Sequence, residues 1–187
     1  MQMPDVIVVG AGAAGLMAAG TAAYRGLDVW LVEKNSKPGK KLQITGKGRC
    51  NLTNDCTVQE FLENVPTNPR FLYGALTRFS PADTKTFFEG LGVPLKTERG
   101  RRVFPQSDQA EDVVKALTGW VESGGVSIVR GSVCRLLTRA GKAAGVQLTD
   151  GRRIEAHQVI LCCGGASYPA TGSTGAGFQI AQQAGHT

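Results

Sequence analysis

Two short apolar runs, Val6 to Val9 and Val29 to Val32, flank an alanine-rich stretch near the start of the chain. Neither run alternates with polar residues, so each reads as a strand buried on both faces of a sheet. The alanines between them continue to about Tyr24 as good helix formers, and Gly26 follows as a C-cap. Residues 5–33 therefore predict a strand, a crossover helix and a second, parallel strand. Farther on, Thr57 to Glu60 has the form of a capping box, and Asn68-Pro69 opens a helix with an apolar face of Phe71, Leu72, Ala75, Leu76 and Phe79. Ser80-Pro81-x-Asp83 opens another, which ends near Gly90 or Gly92. The aromatic stripes on these helices are expected to be core. Arg99 to Arg102 with Val103-Phe104-Pro105 reads as a short basic turn and strand.

Asp108 and Glu111 are expected to cap an amphipathic helix with Ala110, Val113, Val114, Leu117 and Val121 on one face, ended by Gly124-Gly125. Val126 to Val129 then returns as a third buried parallel strand. Three strands follow, Ser132 to Thr138, Ala143 to Thr149 and Arg152 to Ala156, read as an antiparallel meander. Its turns are Ala140-Gly141-Lys142 and Asp150-Gly151, the second expected to be type I′. Val159 to Cys162 is a further buried strand running into Gly164-Gly165, and a helix covers Phe178 to Gln183. The fold class is α/β, a doubly wound parallel sheet with a three-stranded antiparallel β-meander. Its parts are a βαβ unit (5–33), a helical excursion (55–100) and the meander (131–157), with no internal repeat and no linker.

The turn between the first strand and helix carries candidate chemistry. Gly10-Ala11-Gly12-Ala13-Ala14-Gly15 is a G-x-G-x-x-G turn, and the second strand ends on Glu33. Gly10 permits the tight turn, Gly12 lets backbone approach a pyrophosphate, and Gly15 lets the helix lie close on the sheet. The helix N-terminus offers N–H groups and a partial positive charge to phosphates. A carboxylate at the end of the second strand can accept hydrogen bonds from ribose hydroxyls and repels a 2′-phosphate, which disfavours NADP. A glycine turn that only packed a helix on a sheet would not explain Glu33.

Composition changes this picture little. The 187 residues are 42% hydrophobic and 19% charged, ordinary for a folded domain. The net charge of +6 could favour anionic ligands, yet no dense basic tract stands out, which disfavours nucleic acid as a partner. No apolar run reaches the ~18 residues a membrane span needs, and Asp5 ahead of the first run argues against a signal peptide. Cys50, Cys56, Cys134, Cys162 and Cys163 lack C-x-x-C metal spacing and are read as reduced thiols of a cytoplasmic protein. No metal site is expected. His157 and His186 are read as structural or solvated.

The order of elements resembles the two-dinucleotide-binding-domain flavoproteins related to glutathione reductase. More narrowly, VIVVGAGAAGLMAA, EKNSKPGKKLQITGKGRCNLTN, GRRVFPQSDQAEDVV and VILCCGGASYPATGSTGAGFQIAQQAGHT resemble the bacterial FAD-dependent oxidoreductases of the YhiN/BaiN type, the aminoacetone oxidase family. The resemblance implies FAD in a Rossmann-like domain of the glutathione-reductase type. It places the pyrophosphate on Gly10 to Gly15, with Gly12, Ala13 and Ala14 between, and the adenosine ribose on Glu33 with Lys34 beside it. Lys41, Gly46, Arg49, Cys50 and Asn51 are implied to lie along the pyrophosphate and flavin. Val133 is implied to pair its backbone with adenine, and Cys163, Gly164 and Gly165 to close over the nucleotide. Three positions depart from the family pattern. Cys162-Cys163 stands where Ala-Thr is frequent, Ala176 where Asp is usual, and Lys47 where glycine is usual. The adjacent cysteines are read as small buried residues.

Family members run to about twice this length, so the chain looks like the N-terminal portion of one FAD-binding domain, truncated before the substrate domain. The expected function is an FAD-binding oxidoreductase, or its cofactor half, inactive alone. The expected partners are an unidentified small-molecule substrate, NAD(P)H as candidate reductant, and a second copy meeting the face that truncation exposes. No catalytic residue is assigned; Arg49 and Cys50 are the candidates near the flavin. Two alternatives remain, an RNA-associated flavoprotein of the tRNA-modifying type, suggested by the charge and Arg99 to Arg102, and a non-catalytic nucleotide-binding remnant.

Overall fold

The structure, a computed structural model, describes residues 3–186. In chain order its elements are β1 (Val6–Val9), α1 (Ala13–Ala23), β2 (Val29–Glu33), β3 (Thr53–Asn54), α2 (Val58–Glu63), α3 (Arg70–Arg78), α4 (Pro81–Gly90), β4 (Leu95–Glu98), β5 (Arg102–Pro105), α5 (Ala110–Ser123), β6 (Ser127–Arg130), β7 (Val133–Arg139), β8 (Lys142–Leu148), β9 (Arg153–Glu155), β10 (Gln158–Leu161) and α6 (Ala176–Gln183). They form two compact units. One comprises the chain up to Lys41 and the chain from Leu117 onward; the other is Leu42–Ala116.

In the first unit, both apolar runs become the middle of a parallel sheet of order β10-β1-β2-β6. All four residues of β1 are buried, and β2 is buried except for a half-buried Trp30. The flanking strands differ from expectation. The apolar runs Val126 to Val129 and Val159 to Cys162 predict buried strands. Yet β6 and β10 are the sheet edges, and Ile128 and Ile160 are exposed. Apolar content signals a strand, but its place in the sheet order decides how much of it is covered.

Crossover helix α1 ends at Ala23, and Gly26, with a positive φ, donates its N–H to the Ala23 carbonyl to close the turn. A Cβ on Gly20 would sink into the Trp120 ring, which itself stacks on Tyr24 with centroids 5.4 Å apart. Such an aromatic pair adds ~0.5–1.5 kcal/mol beyond area burial.

The meander is β7-β8-β9, antiparallel as expected. Its inner side joins one core with the parallel sheet and α6, in which Ile7, Val9, Val32, Val133, Val146, Leu148 and Ile180 are buried. Its turns reverse the expectation. Ala140 and Gly141 both have positive φ between the paired Arg139 and Lys142, the signature of type I′. Asp150-Gly151 belongs instead to a three-residue loop: only Gly151 has positive φ, its N–H donates to the Leu148 carbonyl, and the Leu148 N–H donates to the Arg152 carbonyl. That is a type I turn followed by a left-handed glycine.

In the second unit the capping box at Thr57 forms as expected, and the helix start at Ser80 is a capping box as well. Thr57 and Glu60 cap α2, and Ser80 and Asp83 cap α4 with Pro81 in the first turn. Two readings fail. Helix α3 has no buried residue: Phe71 is 80% exposed and Leu72 and Leu76 are only half-buried, so the stripe expected to be core is left partly uncovered. Asp108 does not cap α5; its carboxylate takes Lys96 (2.6 Å) and Arg49 (3.3 Å). The apolar face of α5 is buried at all five expected positions. A small sheet of order β3-β5-β4, which the pattern did not reveal beyond β5, completes this unit. Among the described residues no helix is long and apolar enough to cross a membrane.

Candidate functional site

Because the first sheet is parallel, the ends of β1, β2 and β10 lie together at its carboxyl edge, with Val9 opposite both Val32 and Leu161. The chain runs from β1 to β2 on one side and places β10 on the other. The strand order reverses between β1 and β10, where open α/β sheets present their ligand crevice. Gly10 begins the loop there with φ +100°, and a Cβ on it would lie 2.6 Å from the Cys162 carbonyl oxygen. A Cβ on Gly15 would overlap the Gly10 carbonyl oxygen, so α1 closes on the strand end only because Gly15 is bare. Gly12 is different. Its φ is an ordinary −81°, and a Cβ there would meet no protein atom within 4 Å. Open space lies in front of it.

Helix α1 starts at that space without a side-chain cap or an acid in its first turn. Its first i→i−4 bond runs from the Leu16 N–H to the Gly12 carbonyl (2.9 Å). The N–H groups of Ala13, Ala14 and Gly15 precede it and carry the positive end of the helix dipole. These features suit an anion.

Glu33, 8% exposed, ends β2 at the same edge. One carboxylate oxygen accepts the Ala11 N–H (2.6 Å), and the other accepts the N–H and the amide of Asn35 (both 2.7 Å). The acid therefore ties the glycine loop to β2. Asn35 escaped the sequence reading, although an Asn two residues after a strand-ending acid is a local turn signal. Ala11 could not have been found, because a backbone donor carries no residue identity.

The remaining candidates of this unit lie around the same edge. Lys34 Nζ reaches Thr174 Oγ1 (3.4 Å), and Lys41 Nζ reaches the Ser167 carbonyl (3.2 Å). A Cβ on Gly172 would lie 3.0 Å from the Asn35 amide, so the stretch after β10 passes close to the Glu33 turn. Gly164 has φ +70° beside Ser173, and Gly165 approaches Phe178. Burial pushes the Cys162 and Cys163 thiols up, with Lys34 opposing it at Cys163. Val133, 8% exposed, opens β7 within the core.

Gly46, Arg49, Cys50 and Asn51 belong to the second unit and gather on β5. A Cβ on Gly46 would press on the Phe104 ring at 2.8 Å. The Arg49 guanidinium lies 4.1 Å over that ring and bonds Glu98 (2.9 Å) and Asp108. These carboxylates raise its pKa, Glu98 most. With its amide turned to match its surroundings, Asn51 donates to the Thr53 and Val103 carbonyls. Cys50 is buried, its φ is +59°, and burial pushes its thiol up. Of the Arg99 to Arg102 cluster, Arg101 forks onto Glu60 and the Asp55 carbonyl, while Arg102 bonds the Arg99 carbonyl. No group of three or more potential metal ligands occurs among the described residues.

The family described as HI0933-like protein Rossmann domain matches residues 4–187. The chain is 36% identical over 187 residues to a 3-dehydro-bile acid delta(4,6)-reductase of Clostridium scindens, covering 99% of this chain and 45% of that one. It is 31% identical to a ribosomal RNA dihydrouridine synthase of Escherichia coli, again over 99% of this chain and 45% of the relative. Among solved structures, a 3-ketosteroid-delta4-(5alpha)-dehydrogenase of Rhodococcus jostii shares the fold with a TM-score of 0.76 at 18% identity, over 99% of this chain and 54% of that one. The chain spans about half the length of the relatives it matches.

Proposed function

The chain belongs to the HI0933-like Rossmann family, and from that premise we propose that it forms the dinucleotide-holding part of an FAD-dependent oxidoreductase. The observation that carries this reading is the open space at Gly12. Around it stand an uncapped helix N-terminus and, at the end of β2, a carboxylate. These residues fit the ADP half of FAD. The bare Cα of Gly12 lets a pyrophosphate approach, and the Ala13, Ala14 and Gly15 N–H groups face its charge. Glu33 accepts from the ribose hydroxyls with its remaining lone pairs, held in place by Ala11 and Asn35, and it repels a 2′-phosphate. Bound FAD supplies the redox chemistry, and the protein supplies binding, orientation and electrostatics. The names of the two relatives specify different substrates, a bile acid and ribosomal RNA, so the substrate class does not carry over.

Gly12→Val tests the reading. The added side chain enters space that no protein atom fills, so circular dichroism should be unchanged. ADP and FAD affinity should fall at least about a hundredfold, a loss of ~2.7 kcal/mol. A variant that keeps its ADP affinity would show that the phosphate turn has been misplaced.

A further inference from the structure

The outer side of the meander holds a second hollow, of about 280 Å³, at the end of α6 and away from the glycine turn's residues. Arg135 on β7, Gln147 on β8 and Arg153 on β9 line it, with Thr138 and Gln183. The three strands bring the first three residues into one row, since Arg135 pairs with Gln147 and Gln147 with Arg153. Directly opposed side chains on a sheet start about 5 Å apart, so two guanidiniums can converge on one group above Gln147.

The charges around the row sharpen the point. Arg139 and Arg152 have ion-pair partners, Glu155 and Asp150. Those are the two acids of residues 130–157, against six arginines and lysines in the same stretch. Arg135 and Arg153 have no ion-pair partner among the described residues. The C-terminal end of α6, fixed to β7 by the Gln183 amide on the Cys134 carbonyl, adds only about half a negative charge. The hollow stays positive, and its two unpaired forks match the oxygens of a phosphate group.

We propose that this row is a phosphate-binding site, with Arg135 and Arg153 each bonding the phosphate oxygens. A small phosphomonoester and an RNA backbone present the same group. The test titrates the chain with inorganic phosphate and, separately, with a short mixed-sequence single-stranded RNA at low salt. Backbone signals of Gly12 to Gly15 are followed alongside, so that binding at the glycine turn is read separately. Side-chain NMR signals of the two arginines are followed, and the doubly substituted protein Arg135→Gln, Arg153→Gln is the comparison.

Both arginine signals should shift and saturate with at least one probe, and the double variant should bind that probe at least tenfold more weakly. If RNA is the tighter ligand, the slope of log affinity against log salt should shallow by about 1.4 in the variant, two lost contacts at ~0.7 each. A response to inorganic phosphate without tighter RNA binding assigns the site to a small phosphomonoester. If neither probe moves the arginine signals, or the double variant binds both as well as the unaltered chain, the proposal is overturned.

Discussion

Replacing Glu33 by Gln should weaken the fold even with no ligand present. The carboxylate accepts three N–H groups, from Ala11, the Asn35 backbone and the Asn35 amide, while only 8% exposed. A glutamine keeps one acceptor oxygen. If that oxygen stays on Asn35, the new NH₂ group faces the Ala11 N–H, and a buried donor left unmatched costs about 1–3 kcal/mol. The two bonds to Asn35 also lose their charge assistance, roughly another 1 kcal/mol in all after relaxation. The expected destabilisation is about 3 kcal/mol, a large share of the 5–15 kcal/mol typical of a domain. At this chain length it lowers the melting temperature by roughly 6–12 °C. Urea unfolding of the ligand-free proteins measures the first quantity, and a thermal scan the second. ADP titration under folding conditions then reports separately on the proposed ribose contact. An unchanged urea midpoint would mean that Glu33 does not hold the glycine loop, whatever happens to ADP.

Gly20→Ala should destabilise by about 1 kcal/mol or more, because its methyl runs into the Trp120 ring and overpacking outweighs the helix-propensity gain; a urea midpoint equal to the parent's would refute the packing. Glu60 is held down to about 2, chiefly by Arg101 and then by its bonds to Thr57. Its contribution is therefore complete above the ordinary glutamate range near 4.3 and is lost as pH falls through about 2. An NMR titration should place its midpoint there and Arg101→Ala should raise it; a midpoint near 4.3 in the parent protein contradicts the ion pair.

What the sequence revealed was mostly local. Capping signals join residues three positions apart, so the box at Thr57 and Glu60 and the helix start at Ser80 are both legible. β1, β2 and the buried face of α5 were legible because a continuous or periodic apolar run has few other uses. The failures share a cause, which is that a partner distant in sequence decided the outcome. Asp108 had the spacing of a cap but met Lys96 and Arg49. The α3 stripe had the period of a core face, yet nothing in the pattern says whether another element covers it. The Asp-Gly dipeptide fits two turn types, and the Leu148–Arg152 closure selected the longer one. At the glycine turn, Gly10 and Gly15 were legible because the backbone there leaves no room for a Cβ, and Glu33 because it ends an apolar strand. The support from Ala11 could not.

The strand order carries a consequence for how the chain assembles. β1 pairs with β10 and β2 with β6, closing loops of roughly 150 and 95 residues, whereas the meander pairs strands a few residues apart. Closing the longest loop costs about 2.4 kcal/mol more than closing a ten-residue one by the logarithmic rule, and such distant pairings slow folding. The meander and the capped helices should be in place first, with the central ladder last. Pulse-labelled hydrogen exchange during refolding should protect β7 and β8 amides before those of β1, and the reverse order would refute this. The glycine turn proposed to hold the pyrophosphate follows the end of β1. The chain should therefore gain its affinity for ADP only in the slowest phase of folding.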